Sequence, residues 1–156
     1  MEKILFEIGT EELPANYMPN IIKELQALAL KKLEDARIPH TEVKVWGTPR
    51  RLALLVDGVE ETQADSTEEY KGPSAAIAYK DGEPTRAAQG FARGKGLDVT
   101  DLTLRDGYVY AVKHTKGQAT AALLPALLED ILHNIPFPNH MRWGDFDFRF
   151  LRPIRW

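Results

Sequence analysis

The chain has 156 residues, 44% of them apolar and 28% charged, a composition that excludes wholesale disorder and suffices to bury a core without disulfide or metal staples. Cysteine is absent, which excludes disulfide frameworks, thiolate metal sites and thiol nucleophiles and fits a reducing compartment. Twenty basic residues against 23 acidic ones leave a net charge of −3, so generic attraction for polyanions is lacking and any nucleic-acid contact needs a local basic face.

Residues 3–8 (Lys-Ile-Leu-Phe-Glu-Ile) read as a short, mostly buried strand ending at Gly9-Thr10. Thr10 or Glu11 then opens a helical stretch, with Pro14 tolerated in a first turn. Met18, Ile21, Ile22, Leu25, Leu28, Ala29, Leu33 and Ala36 recur at helical spacing and predict an amphipathic helix near 15–36 that covers one face of a sheet. Ile38-Pro39 stops it. Glu42–Trp46 alternates, Val43 and Val45 on one face and Lys44 and Trp46 on the other. Arg51–Val59 is nearly continuous in apolar residues, the pattern of a strand that is buried on both faces or central, with Gly47-Thr48-Pro49 as the connecting turn.

Residues 57–69 hold six acids and no base and predict a solvated loop or strand edge. Lys71 to Ser74 is a break. Ser74 caps a short helix through Tyr79, and Thr85 caps a second over Arg86–Arg93 with Ala87, Ala88 and Phe91 inward. Asp106-Gly107 between two alternating runs, 100–105 and 108–115, is a β-hairpin signal. Leu123, Leu124, Leu127, Leu128 and Ile131 mark an amphipathic helix over 120–133, in which Pro125 argues for a start later than Thr120. Phe146, Phe148 and Phe150 alternate as a strand with one aromatic face. The fold class is therefore α+β: antiparallel or mixed sheet segments with two main amphipathic helices packed on them. The apolar pattern runs on through Pro153-Ile154-Arg155-Trp156, the expectation for a fragment of something longer.

Enzyme signatures fail on inspection. Gly90 to Gly96 has the wrong spacing for a phosphate loop. His40, His114, His133 and His140 are scattered and predict no metal site. Glu7, Glu11 and Glu12 cluster beside Gly9, where they could do acid–base work or simply favour a helix start. Arginine placement is the better lead. Arg50-Arg51 follows a turn, and Arg142-Trp143 and Arg155-Trp156 bracket the aromatic strand, the interleaving that clamps phosphates and stacks bases. The competing reading is packing, with those arginines paired to Asp145 and Asp147.

Four blocks in order resemble the β subunit of bacterial-type (heterotetrameric) glycyl-tRNA synthetase. They are Leu5-Phe6-Glu7-Ile8-Gly9-Thr10-Glu11-Glu12-Leu13-Pro14-Ala15; Gly47-Thr48-Pro49-Arg50-Arg51-Leu52-Ala53; Lys71-Gly72-Pro73 with Ala88-x-Gly90-Phe91-Ala92; and Met141-Arg142-Trp143-Gly144 with Phe150-x-Arg152-Pro153-Ile154-x-Trp156. The resemblance implies that residues 1–156 are the N-terminal module of a longer subunit, an accessory, non-catalytic part of an ATP-dependent glycine–tRNA ligase in the cytoplasm. ATP and Mg are then used on the α subunit, with no cofactor or metal and no catalytic residue in this piece. Its partners are the α subunit and tRNA-Gly, with no membrane. Arg50, Arg51, Arg93, Lys95, Arg142, Arg152 and Arg155 become candidates for touching tRNA or α, with Arg86 completing a basic face. A tRNA role predicts such a face; an assembly role predicts an exposed apolar patch around Trp46 or the aromatic strand. The alternative is an editing or small hydrolytic domain using Glu7, Glu11 and Glu12.

Overall fold

A computed structural model describes residues 1–156. In chain order its elements are β1 (Glu2–Gly9), a 3-10 turn (Ala15–Tyr17), α1 (Met18–Asp35), β2 (Glu42–Thr48), β3 (Arg51–Val59), β4 (Ser66–Ser74), α2 (Ala75–Ala78), β5 (Tyr79–Lys80) and β6 (Glu83–Pro84). There follow α3 (Arg86–Lys95), a 3-10 turn (Val99–Asp101), β7 (Leu102–Arg105), β8 (Tyr108–Thr115), α4 (Thr120–Asn134), β9 (Met141–Arg142) and β10 (Arg149–Phe150). The class is α+β, as expected. The chain forms two compact units, one of residues 1–64 with 118–156 and one of residues 65–117.

In the first unit β1, β3 and β2 form an antiparallel sheet with β3 in the centre. Alternation sends Ile4 and Ile8 of β1, Leu52, Leu54 and Val56 of β3, and Val43 and Val45 of β2 to one face. Onto that face α1 lays Ile21, Leu25, Ala29 and Leu33, each one helical turn from the last and all buried. At Gly58, with φ +66°, a bulge adds one residue to β3, so that Val59 returns to the core side. A side chain on Gly58 would also meet Thr41 at 2.3 Å. α4 adds Ile131 to the same core and ties to α1 through the Lys32–Asp130 ion pair.

Several expectations are corrected. No helix opens at Thr10 or Glu11, because the backbone N–H groups of Thr10, Glu11 and Leu13 donate to carbonyls of Arg50, Pro153 and Pro49. Helix begins only at Ala15, and Pro14 is its N-cap. β3 is central, as one expectation had it, but not buried on both faces: its outward Ala53 and Leu55 are half-buried, and beside them Leu5 of β1 is 62% and Trp46 of β2 51% exposed. The aromatic strand at 146–150 shrinks to Arg149–Phe150, since Gly144 turns the chain at φ +58° and leaves Phe146 in solvent. Phe148 and Phe150 stack at 5.9 Å, and Phe137 meets Phe150 edge-on at 4.6 Å. Helix α4 starts at Thr120 despite Pro125. Both Pro125 and Ala121, whose carbonyl loses a donor, are exposed to water.

In the second unit β4, β8 and β7 form an antiparallel sheet whose inner face carries Val109 and Ala111. α2 and α3 contribute Ala78, Ala88 and Ala92 to this small core, while Ala87 is exposed rather than inward. Lys71–Ser74, expected as a break, stays in β4 with a shifted register toward β8. The acidic segment's Glu68 and Glu69 lie on β4, an edge strand, as the charge pattern predicts. Thr85 caps α3, its Oγ1 accepting from the Ala87 N–H at 3.3 Å. Asp106 and Gly107 both have positive φ, the two-residue turn that suits a twisted hairpin.

Leu25→Ala should cost about 2–5 kcal/mol in a urea melt, because it opens a cavity under α1. Leu5→Ala, on the open face of the same sheet, should change stability by less than about 0.5 kcal/mol.

Candidate functional site

Three segments far apart in sequence meet at one corner of the first unit. The two-residue turn Pro49-Arg50 joins β2 to β3, with Thr48 opposite Arg51. Its carbonyls hold the segment after β1: Thr10 N–H donates to Arg50 O at 3.0 Å and Leu13 N–H to Pro49 O at 2.6 Å. Residues 153–156 run along the other side. Glu11 N–H donates to Pro153 O and Gly9 N–H to Trp156 O at 2.9 and 2.8 Å, while Arg155 N–H donates to Gly9 O at 2.8 Å. Thr10 and Ile154 form a bridge. The Trp156 ring lies against Gly9: a Cβ there would stand 2.1 Å from Cε2 of the indole, so only glycine admits the contact.

Thr10, Thr48, Arg50, Arg51, Arg155 and Trp156 line a cleft of about 320 Å³ at this corner. Glu7 accepts from Arg51 Nη1 at 3.2 Å, and Arg155 Nε lies 3.3 Å from Glu11. Arg50 is exposed and has no carboxylate within 4.0 Å. The Arg51 guanidinium sits 5.1 Å from the centre of the Trp156 ring. Thr10 is 1% exposed, and its Oγ1 has no hydrogen-bond partner in the protein. The corner therefore gathers three arginines and an aromatic ring, with the Thr10 hydroxyl closed off from solvent.

Of the seven basic candidates, Arg50, Arg51 and Arg155 come together here. Arg93 borders a separate cleft in the second unit with Asp98 and Asp101. The Lys95 ammonium lies 3.9 Å from the Tyr70 ring centre in the same unit. Arg142 is exposed on β9 opposite Arg149. Arg152 donates to its neighbour's carbonyl, Leu151 O, at 3.0 Å. Neither Arg142, Arg149 nor Arg152 pairs with Asp145 or Asp147, so that packing reading finds no ion pair in its support. Sequence reading missed Thr10 and Thr48. Nothing about an isolated threonine marks it; only the fold brings it under the arginines.

The open face of β1–β3–β2 adjoins this corner. Leu5 lies opposite Leu55 and Lys44, and the next row pairs Glu7, Ala53 and Trp46. Lys3 pairs with Asp57 at 2.9 Å and Lys44 with Glu42 at 2.6 Å, so the charges beside the apolar residues are neutralised in place. The Glu42 partner raises the Lys44 ammonium above its usual value, holding it charged.

No group of three or more His, Asp or Glu side chains is placed to hold a metal. Gly90 and Gly94 lie inside α3, so this stretch is helix and not a phosphate-binding loop. No helix is long and apolar enough to cross a membrane.

The sequence has relatives. The family model described as glycyl-tRNA synthetase beta subunit matches residues 4–156, and the chain belongs to that family. Among curated relatives, the glycine–tRNA ligase beta subunit of Halothermothrix orenii is 49% identical over 98% of this chain and 22% of that protein. The subunit of the same description from Citrifermentans bemidjiense is 50% identical over all of this chain and 24% of its own length. That from Desulfitobacterium hafniense is 47% identical over 97% of this chain and 23% of its own. The chain thus spans about a quarter of the length of the relatives it matches.

Gly9→Ala should cost about 1–3 kcal/mol by forcing Trp156 off the backbone. In a Trp156→Ala background the same change should cost much less. A double-mutant cycle from urea melts measures this coupling.

Proposed function

We propose that this chain is an accessory, non-catalytic part of a cytoplasmic glycine–tRNA ligase, and that its first role is assembly. The open face of β1–β3–β2 docks on another polypeptide of the ligase, the α subunit. One observation carries this reading. Arg51–Val59 has the apolar continuity of a strand buried on both sides, yet this chain covers only one side. Leu5, Leu55, Ala53 and Trp46 form an apolar patch, and the ion pairs Lys3–Asp57, Lys44–Glu42 and Arg51–Glu7 border it. An apolar centre with a polar rim is the anatomy of a protein interface. ATP and Mg chemistry then belongs to the α subunit.

A second reading, tRNA positioning, is favoured by the convergence of Arg50, Arg51 and Arg155 on one cleft. The hydrolytic alternative finds no such support. Glu7 and Glu11 serve as counter-charges to Arg51 and Arg155, and Glu12 is exposed.

Trp46→Lys should weaken binding to the purified α subunit at least tenfold, by removing an aromatic anchor and leaving an unpaired charge. Its Tm should stay within a few degrees of the parent, since Trp46 lies outside the core. Sedimentation of mixtures measures the first and a thermal melt the second. Unchanged association would refute the assembly role for this face.

A further inference from the structure

We propose, resting on the tRNA-positioning reading, that the β9–β10 hairpin and the cleft beside it bind one unpaired nucleotide of an RNA strand. Arg142 and Arg149 hold its phosphate, and the rings of His133 and Phe148 carry its base. None of these residues belongs to the corner or to the open face of β1–β3–β2.

Register places the two cations. Arg142 and Arg149 are directly opposite each other in the antiparallel pair, as are Met141 and Phe150. Residues so paired share a face, with Cβ atoms about 5 Å apart. Phe150 is 1% exposed and takes its face into the core, so the arginine face is the outer one. Both arginines are exposed, and neither has a carboxylate within 4.0 Å. Like charges directly opposite each other destabilise the free hairpin. A shared anion removes that penalty, and planar guanidinium forks match the oxygens of a phosphate.

The cleft supplies the surface for a base. His133, His140, Asp147, Phe148 and Arg149 line an opening of about 450 Å³, a size typical of small-molecule pockets. Three of these five side chains are planar rings. His133 lies against Phe148 with ring centres 4.9 Å apart, and Phe148 is backed by the buried Phe150 at 5.9 Å. His140 meets Phe137 edge-on at 5.7 Å. His133 and His140 are nonetheless exposed and Phe148 is half-buried, so the wall is braced by the core and open to water. Bases of any identity stack on such rings. Arg149 lines the same cleft, which brings phosphate and base contacts within one nucleotide. Asp147, the one acid there, only accepts hydrogen bonds, and so suits a base amino group rather than a phosphate.

The combination selects the partner. An acidic peptide would satisfy the arginines and leave the rings unused. A duplex would offer phosphates but keep its bases stacked inside. An unpaired nucleotide uses both.

A fluorescent single-stranded RNA, and a duplex of the same sequence, should be titrated into the 156-residue chain with anisotropy as the readout. We expect the single strand to bind more tightly than the duplex. Arg149→Ala should weaken it roughly 3- to 10-fold. Its Tm at low salt should be unchanged or raised, because the change removes the cross-strand repulsion. Replacing Arg142 and Arg149 together by alanine should lower the slope of log affinity against log salt by about 0.7, the share of one phosphate, and not by twice that. His133→Ala should weaken the single strand about fivefold or more, and His133→Phe should restore it, since stacking needs a ring rather than a charge.

Equal or tighter binding of the duplex would overturn the proposal. So would single-strand binding indifferent to both Arg149→Ala and His133→Ala; the tRNA-positioning reading would then stand on other residues. No binding of RNA by the parent chain would reject the site and that reading together. Loss of α-subunit binding in Arg149→Ala, with RNA affinity unchanged, would reassign the hairpin to a protein contact and reject the site.

Discussion

The first unit depends on a three-way backbone seam at the end of its sheet. The segment after β1 cannot become helix, because its N–H groups are committed to the β2–β3 turn on one side and to residues 153–156 on the other. That commitment delays α1 until Pro14 has passed. It also seats Leu13, 1% exposed, in the core and brings the last residues of the chain alongside the first strand. Glycine at position 9 is the condition for the seam, since the indole of Trp156 occupies the space a side chain would need.

From this seam the sheet acquires two different faces. Its inner face is closed by α1 and by Ile131 of α4, with Phe150 and Leu151 completing the core. Its outer face grades from cation to hydrocarbon within one strand: Arg51 at the corner, then Ala53, then Leu55. Alternation alone produces this, because every second residue of β3 points outward. A polar function at one end and an apolar one along the length can therefore share a single strand without competing for side chains.

Much of this was legible in the sequence. The run Ile21, Leu25, Ala29, Leu33 keeps a helical period, so α1 and its buried stripe could be read directly. Asp106-Gly107 announced its hairpin for an equally local reason, the need for positive φ at both turn residues. The corner could not be read from the pattern. Its residues are separated by about forty and then a hundred positions, and neither periodicity nor propensity reports a contact over that range. The four blocks of family resemblance flagged each segment but not their meeting. The aromatic alternation at 146–150 misled because Gly144 turns the chain, leaving only Phe148 and Phe150 to pack.

The joint between residues 64 and 118 has a consequence for how the chain is built. Gln63 N–H donates to Gln118 O at 2.8 Å and Thr62 bridges Ala119, so the first unit closes on itself at the point where residues 65–117 leave it. Asp65 in turn accepts from Gly117 N–H at 2.7 Å, so the departing segment also begins and ends at one place. Such a segment behaves as an insertion in a loop. Its length adds only the slowly growing, logarithmic entropy of loop closure to the folding of the host. Evolution can therefore lengthen, exchange or remove this cassette while the seam, the sheet and the two helices keep their contacts.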